Sequence, residues 1–250
     1  MGNVPNSTNS TGITAIILAG GKGTRLQSVV SDRPKPLALV AGRPFIEYLL
    51  DQLNNAGITH VVISTGYLGE QIRQQLGTTY KKLSLHYSQE DIPLGTAGAL
   101  RHALPLIPSQ QILVLNGDSY CDIDFTKLVA SHKTKNALVT MATVAVPEVS
   151  RYGSVTTTQD GRIIDFREKG LQTGEGFINA GIYVINKSVV CNIVPDKLIS
   201  LERDIFPQYL DQAMYGFATN GTFIDIGIPD DYERAQELFQ RITEESQGGK

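Results

Sequence analysis

A glycine-rich stretch with flanking cations is the part of the sequence best suited to chemistry. Three glycines, Gly20, Gly21 and Gly23, follow an apolar run rich in β-branched residues, and such a run predicts a buried parallel strand. Glycines let another group approach the main chain closely, so successive N–H groups can converge on an anion. Arg25 and Lys35 add positive charge nearby. Free amides ringed by cations suit a polyphosphate better than a neutral ligand.

Two commoner glycine motifs do not fit this stretch. A P-loop needs Ser or Thr directly after its lysine, whereas Gly23 follows Lys22. A dinucleotide fingerprint that began at Gly21 would need a glycine where Leu26 stands. The remaining structural alternative is a tight strand-to-helix turn whose charges are incidental.

Two aspartates are the candidate ligands of a divalent metal. Asp118 follows the apolar run 112–115, and Asp225 follows a second strand-like stretch, 222–224. Ligands of open α/β sheets bind at the carboxyl ends of the strands, so both side chains could reach the same edge. Mg²⁺ prefers oxygen ligands and takes one or two carboxylates together with substrate phosphate. The alternative is that each aspartate only caps a turn.

Histidine and cysteine usage points away from other catalytic chemistries. The 4 histidines are not paired with a serine or cysteine nucleophile motif, which favours structural or surface roles for them. The 2 cysteines, Cys121 and Cys191, are far apart and form no Cys-x-x-Cys motif. We therefore expect ordinary thiols in a reducing compartment rather than a structural metal or a disulfide.

The elements that position these residues alternate between apolar strands and amphipathic helices from residue 13 onward. Such alternation predicts an α/β fold, a mostly parallel sheet with helices on both faces. Further strands are predicted over 60–64, 83–87, 111–115, 138–146 and 180–185, with a last pair at 214–218 and 222–226. Helices are predicted over 44–57, 68–76, 99–104, 125–131, 201–210 and 229–243. Two short strands, 152–155 and 162–167, form a small antiparallel insertion, which we expect to carry acceptor specificity.

Composition limits the partners and the organisation of the chain. With 250 residues, 41% of them hydrophobic, the chain can bury a full core. We predict one domain over residues 12–245 and a disordered tail over residues 1–11. The net charge of -3 argues against nucleic-acid and membrane-surface binding. Without a visible signal peptide or membrane span, we expect a cytoplasmic protein.

The motifs together resemble the sugar-1-phosphate nucleotidyltransferase family. The resemblance rests on the loop 20–26 with Pro34-Lys35-Pro36, and on Gly117-Asp118, the Glu168-Lys169 pair and Asn179-Ala180-Gly181, which follow in the family order. It covers residues 13–238. The resemblance implies a Rossmann-like fold, an NTP and a sugar 1-phosphate as substrates, and Mg²⁺ as the cofactor.

The same resemblance implies a role for each matching residue. Catalytic contacts to the triphosphate would come from Arg25 and Lys35. Nucleotide-binding residues would be Leu18, Ala19, Gly20, Gly21, Gln89, Gly95, Thr96 and Asp118, with Glu90 as the alternative to Gln89 near the base. Sugar-phosphate binding would come from Glu168, Lys169 and Asn179, and the metal ligands would be Asp118 and Asp225. Gly170 stands where a proline usually follows the Glu-Lys pair, which loosens the loop that carries Lys169.

The substrate pair is predicted from finer resemblance. The short chain and the stretches 93–98, 167–170 and 200–207 look most like the branch that makes GDP-heptose from D-glycero-D-manno-heptose 1-phosphate. Mannose 1-phosphate guanylyltransferases and glucose 1-phosphate thymidylyl or uridylyltransferases are the alternatives. A further alternative is a catalytically silent homologue that binds nucleotide sugars and regulates a partner. A homo-oligomer is compatible with the sequence, whose pattern does not locate an interface.

Overall fold

The computed structural model describes residues 12–21, 23–26, 28–167, 173–210 and 212–248. Its strands are β1 (Thr14–Ala19), β2 (Leu39–Val40), β3 (Arg43–Pro44), β4 (His60–Thr65), β5 (Thr79–Tyr80), β6 (Leu83–Gln89), β7 (Gln111–Asn116), β8 (Ser119–Cys121), β9 (Val139–Val146), β10 (Ser154–Thr157), β11 (Ile163–Arg167), β12 (Gly176–Asn186), β13 (Met214–Thr219) and β14 (Phe223–Asp225). Its α-helices are α1 (Phe45–Asn55), α2 (Gly69–Leu76), α3 (Gly95–His102), α4 (Phe125–Thr134), α5 (Lys187–Cys191) and α6 (Pro229–Gly248).

A large mixed sheet forms the centre of the molecule. Its strands run in the order β11-β10-β12-β7-β1-β4-β6-β5, while β9 pairs with β12 and β13 pairs with β9. The strands β7, β1, β4 and β6 pair in parallel. Their carboxyl ends therefore share one edge, which includes the end of β1 where the glycine loop begins. The predicted mostly parallel α/β sheet is confirmed.

Alternate residues of β1 enter two separate cores. Ala15 and Ile17 pack in a cluster with residues of α1, α4 and α6, such as Leu49. Ile16 packs in a second cluster with residues of α3 and α5, such as Leu100. Because side chains of a strand alternate between the two faces of a sheet, this division shows that helices cover both faces. A strand buried on both sides explains the uninterrupted apolar run in the sequence.

The antiparallel part of the sheet is built on β12. This strand runs antiparallel to β7, β9 and β10, and the hairpin β10–β11 extends the sheet beyond it. The predicted hairpin is confirmed, although its first strand begins at Ser154. The register of β12 against β9 shifts between Asn179 and Tyr183, and Gly181 has a positive φ of 72° there. The irregularity lies beside the end of β7, next to the candidate site.

Three predicted details of the elements are wrong. The strands predicted as a last pair do not pair with each other, because β13 lies parallel to β9 and β14 lies antiparallel to β8. Helix α3 begins at Gly95 rather than residue 99, so the glycines predicted as a loop form its first turn. The region 201–210 is one π-helical turn, Leu201–Ile205, followed by a 3₁₀ turn, Phe206–Tyr209.

Among the helices that the structure describes, none is both long enough and apolar enough to cross a membrane.

Candidate functional site

The glycine loop opens into a cavity of about 430 Å³ at the carboxyl edge of the parallel strands. The loops that meet at this edge approach one another so closely that their glycines have no room for a side chain. A Cβ on Gly66 would lie 2.8 Å from the Gly20 oxygen, and a Cβ on Gly117 would lie 2.8 Å from the Leu18 oxygen. Gly117 N–H donates to that same Leu18 oxygen over 2.9 Å. The turn after β1 is therefore held against the loops that follow β4 and β7. We call this space the first cavity.

Lys35 is the cation at the centre of the site. Its Nζ lies 2.7 Å from Asp118 Oδ2 and 4.0 Å from Asp225 Oδ1. The Lys35 side chain is only 10% exposed. It is carried by a short 3₁₀ turn, Lys35–Leu37, which follows Pro34 in an extended conformation. The two prolines thus limit the backbone on both sides of the lysine.

The two aspartates are brought together by β8 and β14 rather than by neighbouring parallel strands. Asp225 pairs with Ser119 in this small antiparallel sheet. Ile226 N–H donates to the Asp118 main-chain oxygen over 2.9 Å, which extends the pairing. Both carboxylates lie at one edge of the molecule, as expected. They are brought there by the antiparallel pairing of β8 with β14, two segments that are distant in sequence.

The far end of the first cavity is formed by the start of α3. Gly95 has a φ of 72°, and a Cβ on it would lie 2.5 Å from the Ile199 oxygen. Ala97 N–H donates to that oxygen over 2.9 Å. The first turn of α3 is therefore packed directly on the segment that leads into the π-helical turn, without room for a side chain at its first residue.

Glu90 lines the first cavity immediately after β6. Its carboxylate accepts hydrogen bonds from Leu94 N–H over 2.9 Å and from Ser64 Oγ over 3.3 Å. Burial raises the pKa of Glu90 above its ordinary value, and these two donors partly oppose that rise. The carboxyl thus holds the loop 90–94 against β4.

A second cavity of about 380 Å³ adjoins the first. Its polar wall is one hydrogen-bonded chain: Asn179 Nδ2 donates to Tyr183 Oη over 2.7 Å, and Tyr183 Oη donates to Glu202 Oε1 over 3.1 Å. Burial, helped by the nearby carboxylate of Glu202, raises the pKa of Tyr183 well above its ordinary value, so the phenol remains a donor. The other Glu202 oxygen accepts from Thr96 Oγ1 over 2.9 Å and from Ser200 Oγ over 2.8 Å.

This wall connects the two cavities. Thr96 lines the first cavity, whereas Asn179 and Glu202 line the second. Tyr152, Phe166 and Phe223 supply aromatic surface to the second cavity. A cavity with aromatic faces, amides and a carboxylate suits a ligand that carries many hydroxyl groups.

The structure brings most of the predicted site residues together. The first cavity is lined by Leu18, Ala19, Gly20, Gly21, Arg25, Lys35, Gly95, Thr96 and Asp118. The second cavity is lined by Asn179 and Asp225. The exposed side chain of Gln89 lines neither cavity, and its neighbour Glu90 takes that position. Glu168, Lys169 and the substituted Gly170 lie outside the described residues.

Asn116 and Glu202 are lining residues to which sequence reasoning gave no site role. Asn116 lines both cavities, and its position directly before Gly117-Asp118 at a strand end was the available signal. Glu202 falls in the predicted helix 201–210, yet it lines the second cavity. No local pattern marks Glu202, because its role depends on contacts with α3 and β12.

Several known proteins are similar to this chain in sequence or in fold. A D-glycero-alpha-D-manno-heptose 1-phosphate guanylyltransferase of Aneurinibacillus thermoaerophilus is 42% identical over 90% of this chain and 98% of its own length. A mannose-1-phosphate guanylyltransferase catalytic subunit beta of Drosophila pseudoobscura pseudoobscura is 36% identical over 98% of this chain and 67% of its own length. The crystal structure of HddC from Yersinia pseudotuberculosis complexed with GMP-PN superimposes with a TM-score of 0.81 at 35% identity, covering 90% of this chain and 99% of that one.

The family model described as nucleotidyl transferase matches residues 14–241, which include both cavities and the residues between them. The chain belongs to the nucleotidyl transferase family.

Proposed function

We propose that the protein transfers a guanylyl group from GTP to D-glycero-α-D-manno-heptose 1-phosphate, which yields GDP-heptose and pyrophosphate. The observation that carries this proposal is the arrangement of two adjoining cavities with Lys35, Asp118 and Asp225 between them. The choice of substrates is supported by the 42% identity to a heptose 1-phosphate guanylyltransferase and by the likeness to HddC complexed with GMP-PN.

The first cavity would hold the nucleotide. The loop at Gly20 and Gly21 presents main chain to the phosphates, and Arg25 is an exposed cation beside it that makes no ion pair with any described residue. The base would lie toward Gly95 and Thr96, where the backbone at the start of α3 approaches the cavity without a side chain. Backbone groups and Arg are well suited to hold and orient phosphates.

The second cavity would hold the sugar 1-phosphate, with Asn179 as a ligand of its hydroxyl groups and with Glu168 and Lys169 as further contacts. In the reaction, an oxygen of the sugar phosphate attacks the α-phosphorus of GTP, and the bond from that phosphorus to the bridging oxygen breaks as pyrophosphate leaves. The attacking phosphate is already an anion, so no general base is needed. No histidine is found among the described residues that line either cavity.

Lys35 would act at the point of transfer. Its ammonium lies between the carboxylate that lines the first cavity, Asp118, and the one that lines the second, Asp225. A fixed positive charge there lowers the energy of the negative charge that develops on the transferred phosphoryl group. Arg25 supplies a second cation at the mouth of the same cavity.

The two aspartates fit a Mg²⁺ ion. Both carboxylates are partly exposed, at 39% for Asp118 and 20% for Asp225, and both approach the Lys35 ammonium, one from the turn before β8 and the other from the end of β14. No cluster of three or more His, Cys, Asp or Glu side chains occurs in the described part of the chain. Mg²⁺ commonly takes one or two carboxylates and completes its shell with substrate phosphates and water. When bound, Mg²⁺ would neutralise phosphate charge at the point of transfer.

The experiment is a measurement of pyrophosphate release with Mg²⁺, in which five nucleotides are crossed with three sugars. GTP, UTP, dTTP, CTP and ATP are each paired with heptose, mannose and glucose 1-phosphates. We expect turnover to be fastest with GTP and the heptose 1-phosphate and to stop when EDTA removes the metal.

Other outcomes would revise the proposal in defined ways. Preference for GTP with mannose 1-phosphate would place the protein with the second guanylyltransferase to which it is similar. Preference for dTTP or UTP with glucose 1-phosphate would overturn guanylyl transfer. The absence of turnover with every pair, in a protein that still binds GTP, would favour a silent regulatory homologue.

A further inference from the structure

The hydrogen-bonded chain that joins the two cavities has a fixed direction. Gly181 N–H donates to Asn179 Oδ1 over 2.9 Å, and a backbone N–H can only donate. The amide therefore turns its nitrogen to Tyr183, whose oxygen accepts over 2.7 Å. At the other end, a carboxylate only accepts, so the single proton of the Tyr183 hydroxyl goes to Glu202 Oε1 over 3.1 Å. Because both ends are fixed in this way, the Asn179 amide has one favoured orientation.

The chain continues to the wall of the first cavity through Thr96. The hydroxyl of Thr96 donates its single proton to Glu202 Oε2 over 2.9 Å and accepts from Leu201 N–H over 2.7 Å. A hydroxyl has one proton to donate, so this one is already committed to the protein rather than to a nucleotide base. Thr96 belongs to the first turn of α3. The start of α3 and the amide of Asn179 are therefore joined through one carboxylate.

Tyr183 is placed to hold this chain rather than to meet a substrate. Its side chain is fully buried, and its ring packs on Phe206 with the ring centroids 5.0 Å apart. Tyr183 is not among the residues that line either cavity, whereas Asn179 is half-buried and lines the second. Tyr183→Phe keeps the ring and removes only the hydroxyl. Any effect of that hydroxyl on a sugar must therefore pass through its two hydrogen-bond partners.

We propose that Tyr183 is a positioning residue for the sugar 1-phosphate, because its hydroxyl fixes the Asn179 amide and ties it, through Glu202, to the first turn of α3. The two cavities then share one carboxylate. Loss of the Thr96 hydroxyl at the nucleotide cavity consequently weakens binding at the sugar cavity. This inference rests on the proposed function, because it assigns the second cavity to the sugar and Asn179 to its hydroxyl groups.

The first experiment measures the KM for D-glycero-α-D-manno-heptose 1-phosphate at saturating GTP and Mg²⁺. In Tyr183→Phe we expect this KM to rise roughly 5- to 30-fold, because Asn179 loses the acceptor that orients it, while the KM for GTP stays close to that of the unaltered protein. Tyr48→Phe is the matched control. The Tyr48 hydroxyl is also buried, donates to the Val40 oxygen over 2.9 Å and lines neither cavity. This control should lose a similar amount of thermal stability and keep both KM values.

A pair of substitutions at Thr96 separates the hydroxyl from the shape of the side chain. Thr96→Val removes the hydroxyl and should raise the KM for the sugar phosphate, although the residue lines the other cavity. Thr96→Ser keeps the hydroxyl and should retain nearly the original value. In the double variant Tyr183→Phe/Thr96→Val, the rise should be smaller than the product of the two single rises, because both changes act through Glu202.

Amide hydrogen exchange followed by NMR tests the positioning without turnover. Gly181 N–H and Leu201 N–H donate to the two ends of the chain, Asn179 Oδ1 and Thr96 Oγ1. Both amides should exchange faster in Tyr183→Phe than in the unaltered protein. In Tyr48→Phe they should exchange at the original rates, because that substitution leaves the chain intact.

Three results would overturn the inference. One is a folded Tyr183→Phe variant whose KM for the sugar phosphate and whose exchange at Gly181 match those of the unaltered protein. Another is an equal rise of that KM in Tyr48→Phe, which would trace the effect to lost stability. The third is a double variant whose rise equals the product of the single rises. Failure of the proposed function is distinguishable from all three, because the unaltered protein would then not turn over the sugar phosphate, while the exchange rates would still report whether Tyr183 holds Asn179.

Discussion

At the scale of single residues, Lys35 is the position on which the proposed chemistry depends most. Lys35→Ala leaves Asp118 and Asp225 facing each other without their shared cation. We expect kcat to fall roughly 10²- to 10³-fold, the loss typical of one preorganised electrostatic group, as measured by pyrophosphate release. Arg33→Ala is the control, because Arg33 is paired with its neighbour Asp32 rather than with the site. Equal kcat values in the two variants would contradict the role of Lys35.

Glu90 should make the stability of the folded protein depend on pH. Burial raises its folded-state pKa above the ordinary 4.5, so between 4.5 and that raised pKa the folded protein holds a proton that the unfolded chain has lost. Stability from this group is therefore lost as the pH rises through that range. Glu90→Gln does not titrate and keeps an oxygen for Leu94 N–H. The Tm of Glu90→Gln relative to the unaltered protein should increase between about pH 4 and pH 7.

Thermal melts at several pH values measure this difference directly. Asp91→Asn, which alters an exposed carboxylate in the same loop, shows how much of the effect comes simply from removing a negative charge. A Tm difference for Glu90→Gln that stays constant or declines as the pH rises would show that the carboxyl is not destabilised by burial.

At the scale of elements, the first turn of α3 should tolerate no side chain at its first residue. Gly95 and Gly77 both have positive φ values, 72° and 66°, but only at Gly95 does a Cβ meet backbone, 2.5 Å from the Ile199 oxygen. Gly77→Ala should cost about 1 to 3 kcal/mol of stability from backbone strain alone, and Gly95→Ala should cost more. Only Gly95→Ala should also raise the KM for GTP. Urea denaturation and initial rates measure the two effects.

Similar losses of stability in both variants, with the KM for GTP unchanged, would mean that the segment near Ile199 moves aside freely. The start of α3 would then not be held against that segment as the structure shows.

The elements also show where sequence reasoning succeeds and where it stops. The strand before Gly20 and the helix around Leu49 were predictable, because their periodicity and their burial agree. The start of α3 was not, because Gly95 and Gly98 favour a loop by propensity. The structure makes them helical by packing them on carbonyl groups of residues 197 and 199, which lie a hundred residues away. Tertiary contacts of this kind override local propensity.

At the scale of the whole molecule, the two cavities differ in how far the sequence alone could predict them. The first cavity was largely predictable, because its glycines and cations lie in one continuous stretch with recognisable spacing. The second was not, because Glu202 and Asn179 meet only through Tyr183, and Asn116 acquires its importance only when β12 packs against β7. Residues that work together through the fold leave no common signal in a single sequence.

The fate of the α-phosphorus of GTP distinguishes guanylyl transfer from every other use of the nucleotide. GTP labelled at the α-phosphate is incubated with the protein, Mg²⁺ and the heptose 1-phosphate, and the products are separated and counted. We predict that the label appears in the nucleotide sugar, in equal amount to unlabelled pyrophosphate, and only when the sugar phosphate is present. Label that stays in GTP, or that is released as GMP or GDP without forming the nucleotide sugar, would contradict the transfer of a guanylyl group between the two cavities.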